Sequence, residues 1–323
     1  MRMLRQFGVV LAGLCLTWLC LAWPALADDT LRIAVGQRGL WDTSVAELGQ
    51  RAGIFKKHGI ALEILYTQGG GETQQAVISG SVDLGASAGV LGVFGAFAKG
   101  APLRIIGAEI TGAADLFWYV QSNSPIHSLA DTDGRTIAYS TTGSSSHLIA
   151  LSFIRANGLF ARSVATGGPA ATFTQVMSGQ IDVGWSSPPF GLDAVADGRI
   201  RIVARGNDLP EFRDQTIRLI VANAGFLERR KDAAARYVQG YRDALDWMYS
   251  DPTALDAYAQ FANTSAADAR EVRDLYYPRD HLQVDHIAGL DAVMRDGIAF
   301  RYIAQPLTKE QLGGLIQIPA PIK

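Results

Sequence analysis

One phrase occurs twice in this chain, about a hundred residues apart. Val77-Ile78-Ser79-Gly80-Ser81-Val82-Asp83-Leu84-Gly85-Ala86-Ser87 is echoed by Val176-Met177-Ser178-Gly179-Gln180-Ile181-Asp182-Val183-Gly184-Trp185-Ser186. A glycine-rich turn and a helix-like stretch precede each copy, Gly69-Gly70-Gly71-Glu72 before one and Gly167-Gly168-Pro169 before the other. After each, beyond a Gly, comes a basic-apolar strand: Leu103-Arg104-Ile105-Ile106, then Ile200-Arg201-Ile202-Val203. A period this long marks a duplicated domain core rather than a solenoid. Two similar α/β lobes facing each other leave a cleft between them, and small ligands bind in such clefts.

The N-terminus reads as a processing segment. Arg2 and Arg5 supply a positive start, Phe7 to Trp23 is uncharged and mainly apolar, and Pro24-Ala25-Leu26-Ala27 offers small residues for cleavage before Asp28. Export through this signal peptide predicts a periplasmic protein. Both cysteines, Cys15 and Cys20, fall inside the segment. The remaining chain therefore excludes disulfides, thiolate metal sites and a cysteine nucleophile. It keeps about 300 residues, enough for two domains. With 29 basic against 31 acidic residues and no basic block, nucleic acid is not an expected partner.

Strand-like Leu31–Val35, a loop from Gly36, a helical pattern over Ser44–Lys57, an alternating Ile60–Tyr66 and the helix ending at Gly80 spell βαβα. That order implies a parallel sheet with helices on its faces. Thr136–Tyr139, the polar Ser140–Ser146 loop and the helical His147–Ala156 repeat the scheme. Leu84–Ala98 reads as a buried strand end followed by a tightly packed helix. Leu116–Pro125 and Thr216–Ala222 are the expected crossings between lobes. From Gly225 onward the chain is helical, with Ala234, Tyr237, Val238, Tyr241, Leu245 and Met248 on one apolar face. The expected division is 1–27 signal peptide, 28–122 with 218–323 as a discontinuous first lobe, and 123–217 as the second.

The Ser-Gly-x-(Val/Ile)-Asp-(Leu/Val)-Gly phrase, the signal peptide, the strand-loop Ile137-Ala138-Tyr139-Ser140-Thr141-Thr142 and the helical tail together resemble the periplasmic solute-binding proteins of ABC importers. The likeness is to the nitrate/sulfonate/taurine group, which also includes binders of thiamine-precursor pyrimidines. It covers about residues 30 to 310 and rests on order and spacing rather than on one motif. The resemblance implies the α/β two-lobed periplasmic binding protein fold (type II, two crossovers), a ligand cleft between the lobes and a helical C-terminal tail. It also implies permease and ATPase subunits as partners, a monomeric receptor, hinge closure on the ligand, and no enzymatic activity.

Candidate ligand residues then fall at strand ends and helix starts: Gln37, Arg38 and Trp41 after the first strand, Gly70 in the triple-glycine turn, Ser87, the run Thr141, Thr142, Gly143, Ser144 and Ser145, and the pair Trp185 and Ser186. Hydroxyls and free N–H groups at a helix start suit an anion, although Ser and Thr also cap helices everywhere. Trp185 and Trp41 offer flat walls. Arg38 is the one cation in the first two loops, with Arg218 a weaker second. The expected ligand is a small organic anion such as an alkanesulfonate, taurine, nitrate or a carboxylate. A flat pyrimidine-like ligand and a periplasmic dehydratase-type enzyme on the same fold are the alternatives, and a sensor-kinase receptor would keep the same site. Gly85-Ala86-Ser87-Ala88-Gly89 matches a nucleophile elbow, but its duplicate, Gly184-Trp185-Ser186-Ser187-Pro188, lacks the second glycine. The five histidines show no metal-ligand spacing, and neither a metal nor a cofactor is expected.

Overall fold

The computed structural model describes residues 28–322, so the expected signal peptide over 1–27 and both cysteines lie outside the described residues. Ten strands form two mixed sheets. In the first, β1 (Asp29–Gly36) lies between β2 (Ile60–Thr67) and β3 (Leu84–Gly89), all parallel; β10 (Thr216–Asn223) runs antiparallel between β3 and β4 (Leu103–Thr111). The second holds β5 (Phe117–Gln121), β6 (Thr136–Tyr139), β7 (Arg162–Ala165), β8 (Gly184–Ser186) and β9 (Ile200–Arg205). β5 pairs antiparallel with β8 and β9, β6 pairs parallel with β7, and a parallel bridge between Ile137 and Val183 joins the two halves. The first order is β2-β1-β3-β10-β4, and the second reads β7-β6-β8-β5-β9. The lobes are therefore topological duplicates. The repeated phrase ends in β3 and β8, which occupy the same place in each. Each sheet also receives one antiparallel strand, β10 or β5, from beyond a crossing.

Strand β5 carries the first crossing into the second sheet at Phe117, several residues earlier than the expected boundary after 122. Its residues Phe117 to Val120 are buried on both faces, as a central strand requires.

Around the first sheet run α1 (Val45–Arg51), α2 (Ile54–Lys57), α3 (Gly70–Ile78) and α4 (Val90–Ala98); around the second, α5 (Ser145–Ala156), α6 (Pro169–Met177) and α7 (Leu192–Ala196). The pattern over Ser44–Lys57 is two helices rather than one. Gly53 adopts φ 71° and breaks the run, a conformation the α-helix cannot hold. The tail contributes α8 (Ala224–Arg229), α9 (Lys231–Ser250), α10 (Pro252–Ala262), α11 (Ala266–Tyr276), α12 (Leu290–Ala299) and α13 (Lys309–Leu315). The expected apolar stripe of α9 is buried throughout, and its Tyr237 stacks on Phe55 at 5.6 Å. Among the described residues no helix is long and apolar enough to cross a membrane.

Candidate functional site

The parallel strands end toward the other lobe, so the loops after β1, β2 and β6 and the ends of β3 and β8 converge on one cavity. Gly36, Gln37, Gly69, Gly70 and Ser87 line it from the first lobe, with Arg218 of β10; Ser140, Ser144, Ser145, Ser146 and Trp185 line it from the second. The enclosed space is about 10 Å³. Pockets that hold small ligands measure hundreds of Å³, so this space, as it stands, is too small for one. Three of the hydrogen bonds between the lobes lie beside it. Gly71 N–H donates to Thr141 Oγ1 at 3.0 Å, Gly168 N–H to Gln68 Oε1 at 3.2 Å, and Arg218 Nε to Ser145 Oγ at 3.0 Å.

The first lobe approaches through glycines because no side chain fits. A Cβ on Gly89 would lie 2.1 Å from Gly143 O, and one on Gly71 2.2 Å from Thr142 O. Two lining residues hold the left-handed region without being glycine: Gln37 at φ 58° and Ser87 at φ 62°. Such backbone costs of order 1 kcal/mol or more and clusters at functional sites.

Helix α5 opens on the cavity with Ser144 as its cap, accepting from the His147 N–H at 3.1 Å, while Ser140, Ser144 and Ser146 share hydroxyl contacts of 3.0 and 3.1 Å. His147 stacks on Tyr139 with ring centroids 4.0 Å apart. Burial pushes its imidazole down to about 4, so it is neutral at physiological pH. Gly143 N–H donates to Nδ1 at 3.3 Å, and the Tyr302 hydroxyl lies 2.7 Å from the same nitrogen.

Beneath the cavity sits a buried charge cluster. Arg218 donates from Nη1 to Asp42 at 2.9 Å and from Nη2 to Asp115 at 2.7 Å, with 4% of its side chain exposed and neither carboxylate accessible. Asp115 also accepts from Ser187 Oγ at 2.9 Å, and that hydroxyl lies 2.9 Å from the Tyr277 hydroxyl. Among the described residues, Asp42 Oδ1 and Asp115 Oδ1 have no hydrogen-bond partner. On β4, the fully buried Glu109 accepts from the Ser87 N–H, and from the Tyr241 hydroxyl at 3.4 Å. Burial, then the charge of Asp42, holds the Glu109 carboxyl well above the usual range, against the pull of the Ser87 N–H and Arg218. A raised carboxyl stabilises the native state fully at acid pH and loses that contribution as pH climbs toward its folded value. Glu109→Gln is therefore expected to raise the melting temperature at pH 8 and leave it unchanged at pH 4. Melting curves across that interval check it.

Of the sequence candidates, Gln37, Gly70, Ser87, Ser144, Ser145 and Trp185 meet at the cavity. Thr141, Thr142 and Gly143 lie one step outward, on a groove of about 640 Å³ along the seam with α3 and α4. Ser186 turns away, as alternation on β8 demands; its hydroxyl donates to Phe190 O at 2.8 Å, and it lines a separate hollow in the second lobe. Trp41 and Arg38 need correction. Trp41 is fully buried, donates to Tyr249 at 2.9 Å and meets Tyr258 edge-on at 4.8 Å, so it belongs to the first lobe's core. Arg38 is exposed, its guanidinium 4.2 Å over the Phe261 ring, and does not reach the cavity. The cation at the cleft is Arg218. The lining holds no histidine to serve Ser87 as a base.

Asp115, Glu109 and Tyr302 escaped the sequence reading. An acid amid the apolar run of β4 was the one available signal for Glu109. Tyr302, together with Asp296, which meets Arg155 at 3.0 Å, straps the C-terminal tail onto α5 of the opposite lobe.

Two duplicated α/β lobes, two crossings and a cleft between strand ends define the periplasmic-binding-protein fold. The computed structure superposes on the alkanesulfonate-binding protein SsuA of Xanthomonas axonopodis pv. citri bound to MOPS with a TM-score of 0.73, at 20% identity, covering 90% of this chain and 98% of that one. The nitrate-binding protein NrtA of Synechocystis PCC 6803 gives a TM-score of 0.70 at 13% identity, covering 89% and 86%. The sequence matches the profile of the family described as NMT1/THI5 like over residues 47–255, and the chain belongs to that family. A protein of Escherichia coli (strain K12) named for binding aliphatic sulfonates is 31% identical over 142 residues, which span 43% of this chain and 44% of that relative.

Proposed function

We propose that this chain is the substrate-binding component of an ABC importer, exported to the periplasm, where it captures a small organic anion by lobe closure and hands it to the permease. The observation that carries this reading is the cavity itself. It is built half from each lobe, bridged by three hydrogen bonds, and lined by serine hydroxyls and the starts of α3 and α5, whose free N–H groups and dipoles favour an anion. The relatives named for sulfonates and nitrate support an alkanesulfonate, taurine, nitrate or a carboxylate as the class. A bound ligand bridging both lobes stabilises the closed state, which is the form presented to the permease. A neutral pyrimidine-like ligand is the second reading, favoured by Arg218, whose guanidinium is already occupied by two aspartates.

Thermal melting of the ligand-free chain against taurine, alkanesulfonates, nitrate, aromatic carboxylates and pyrimidines tests the proposal. A true ligand at a hundred times its Kd stabilises by about 2.7 kcal/mol, a rise of several degrees. A response confined to pyrimidines would favour the second reading, and no response from any member would sink both.

A further inference from the structure

The charge count at the cleft floor does not balance. Three buried carboxyl groups, Asp42, Asp115 and Glu109, face one guanidinium, Arg218, and two of their oxygens have no hydrogen-bond partner among the described residues. No other cation lines the cavity. The groups packed around them are the Ser87 N–H, the hydroxyls of Ser145 and Ser187, and the phenols of Tyr237, Tyr241, Tyr249, Tyr258 and Tyr277, all neutral near physiological pH. An unpaired buried charge is costly, so such a cluster holds a proton whenever it can. Bringing an anion against Ser87 and Ser145 adds negative charge directly above it.

We propose that this cluster makes the cleft selective by charge: it accepts a monoanion together with a proton, and refuses a dianion. The inference rests on the anion reading above and names what the cleft demands of its ligand. Carboxyl groups held above their usual range by burial, as at Asp42 and Glu109, supply the place for that proton. The proton offsets the charge the ligand brings, whereas a second ligand charge would stand uncompensated. Arg218 contributes no spare charge, because Asp42 and Asp115 already take its two terminal nitrogens and Ser145 takes Nε.

Calorimetric titration with ethanesulfonate and with nitrate, both fully ionised across the range, tests this between pH 5.5 and 8.5. Running it in Tris and in bis-Tris counts the protons taken up, since the two buffers release different heats and neither is a sulfonate. The expected result is uptake approaching one proton, with Kd weakening by up to about tenfold per pH unit on the alkaline side. Sulfate should bind at least about tenfold more weakly than ethanesulfonate at pH 7.5. Asp42→Asn should reduce the proton count and tighten binding at pH 8.5; the buffer pair and the sulfate comparison stand on the unaltered chain should that variant not fold. Binding with no proton exchange and a pH-independent Kd, or sulfate held as tightly as ethanesulfonate, overturns the proposal and leaves the anion reading intact. Failure of both monoanions to bind at any pH removes the anion reading and this inference with it.

Discussion

A methyl group placed on Gly89 is expected to weaken ligand binding about 5- to 150-fold while leaving the unliganded chain as stable as before. The asymmetry follows from what surrounds that glycine. The three atoms nearest its Cβ belong to the opposite lobe: Gly143 O at 2.1 Å, and the Ser144 carbonyl carbon and Cα at 2.7 Å. Its own backbone, at φ −70° and ψ 133°, suits any residue, so the first lobe folds around alanine without strain. The cost falls on closure alone, and backbone cannot swing aside as a side chain does. Gly71→Ala provides the companion case, with its Cβ 2.2 Å from Thr142 O. There alanine also favours the helical state in the first turn of α3, so the two effects separate: melting temperature steady or higher, affinity lower. Calorimetry beside unliganded melts reads both. Undiminished affinity in both variants would mean that the ligand-bound state does not bring these loops together.

The second large effect concerns Arg218. Arg218→Met keeps much of the side chain's volume but strands Asp42 and Asp115, both inaccessible to water, without a counter-charge. Breaking a buried ion cluster from one side costs about 3–5 kcal/mol, a large part of the 5–15 kcal/mol typical of a whole domain. The loss should depend on pH. Asp42, whose carboxyl burial already holds above its usual range, takes up a proton more readily once stranded, so the variant's deficit shrinks toward acid pH and grows as pH rises through its elevated folded value. Urea unfolding at pH 5 and pH 8 measures it. Adding Asp42→Asn should recover part of the stability by removing one stranded charge. A deficit below about 1 kcal/mol at pH 8, the size of a surface ion pair, would show that the cluster is not the buried network described.

The two-lobed architecture was legible because duplication leaves a trace that periodicity cannot blur. The Asp83 and Asp182 phrases fall on β3 and β8, which hold matching places in the two sheets. Gly70, Ser87, Ser144 and Ser145 line the cavity between the lobes, since position on an α/β sheet decides which loops reach the cleft. Trp41 failed for a reason invisible locally. The residues that bury it, Tyr249 and Tyr258, lie more than two hundred positions later in the tail. Arg38 failed similarly, because Phe261 offers its ring as an alternative partner outside the cleft. Arg218 looked like one basic residue in an apolar strand, and only the fold shows that strand entering beside β3 with its guanidinium under the cavity. Polar clusters assembled from distant segments carry no spacing signal. Composition reveals only that a charged residue sits among apolar neighbours.

The central claim is that ligand draws two lobes together, and a distance across the cleft tests it most directly. The cysteines lie only at Cys15 and Cys20, so the chain after Ala27 can carry one spin label per lobe without interference. Ser79→Cys and Ser178→Cys occupy equivalent exposed positions just beyond α3 and α6. Pulsed dipolar spectroscopy on the doubly labelled chain, with and without whichever compound raises its melting temperature, should show a longer, broader distribution collapse to a shorter, narrower one on saturation. An identical distribution in both samples, with the ligand bound, would contradict capture by lobe closure.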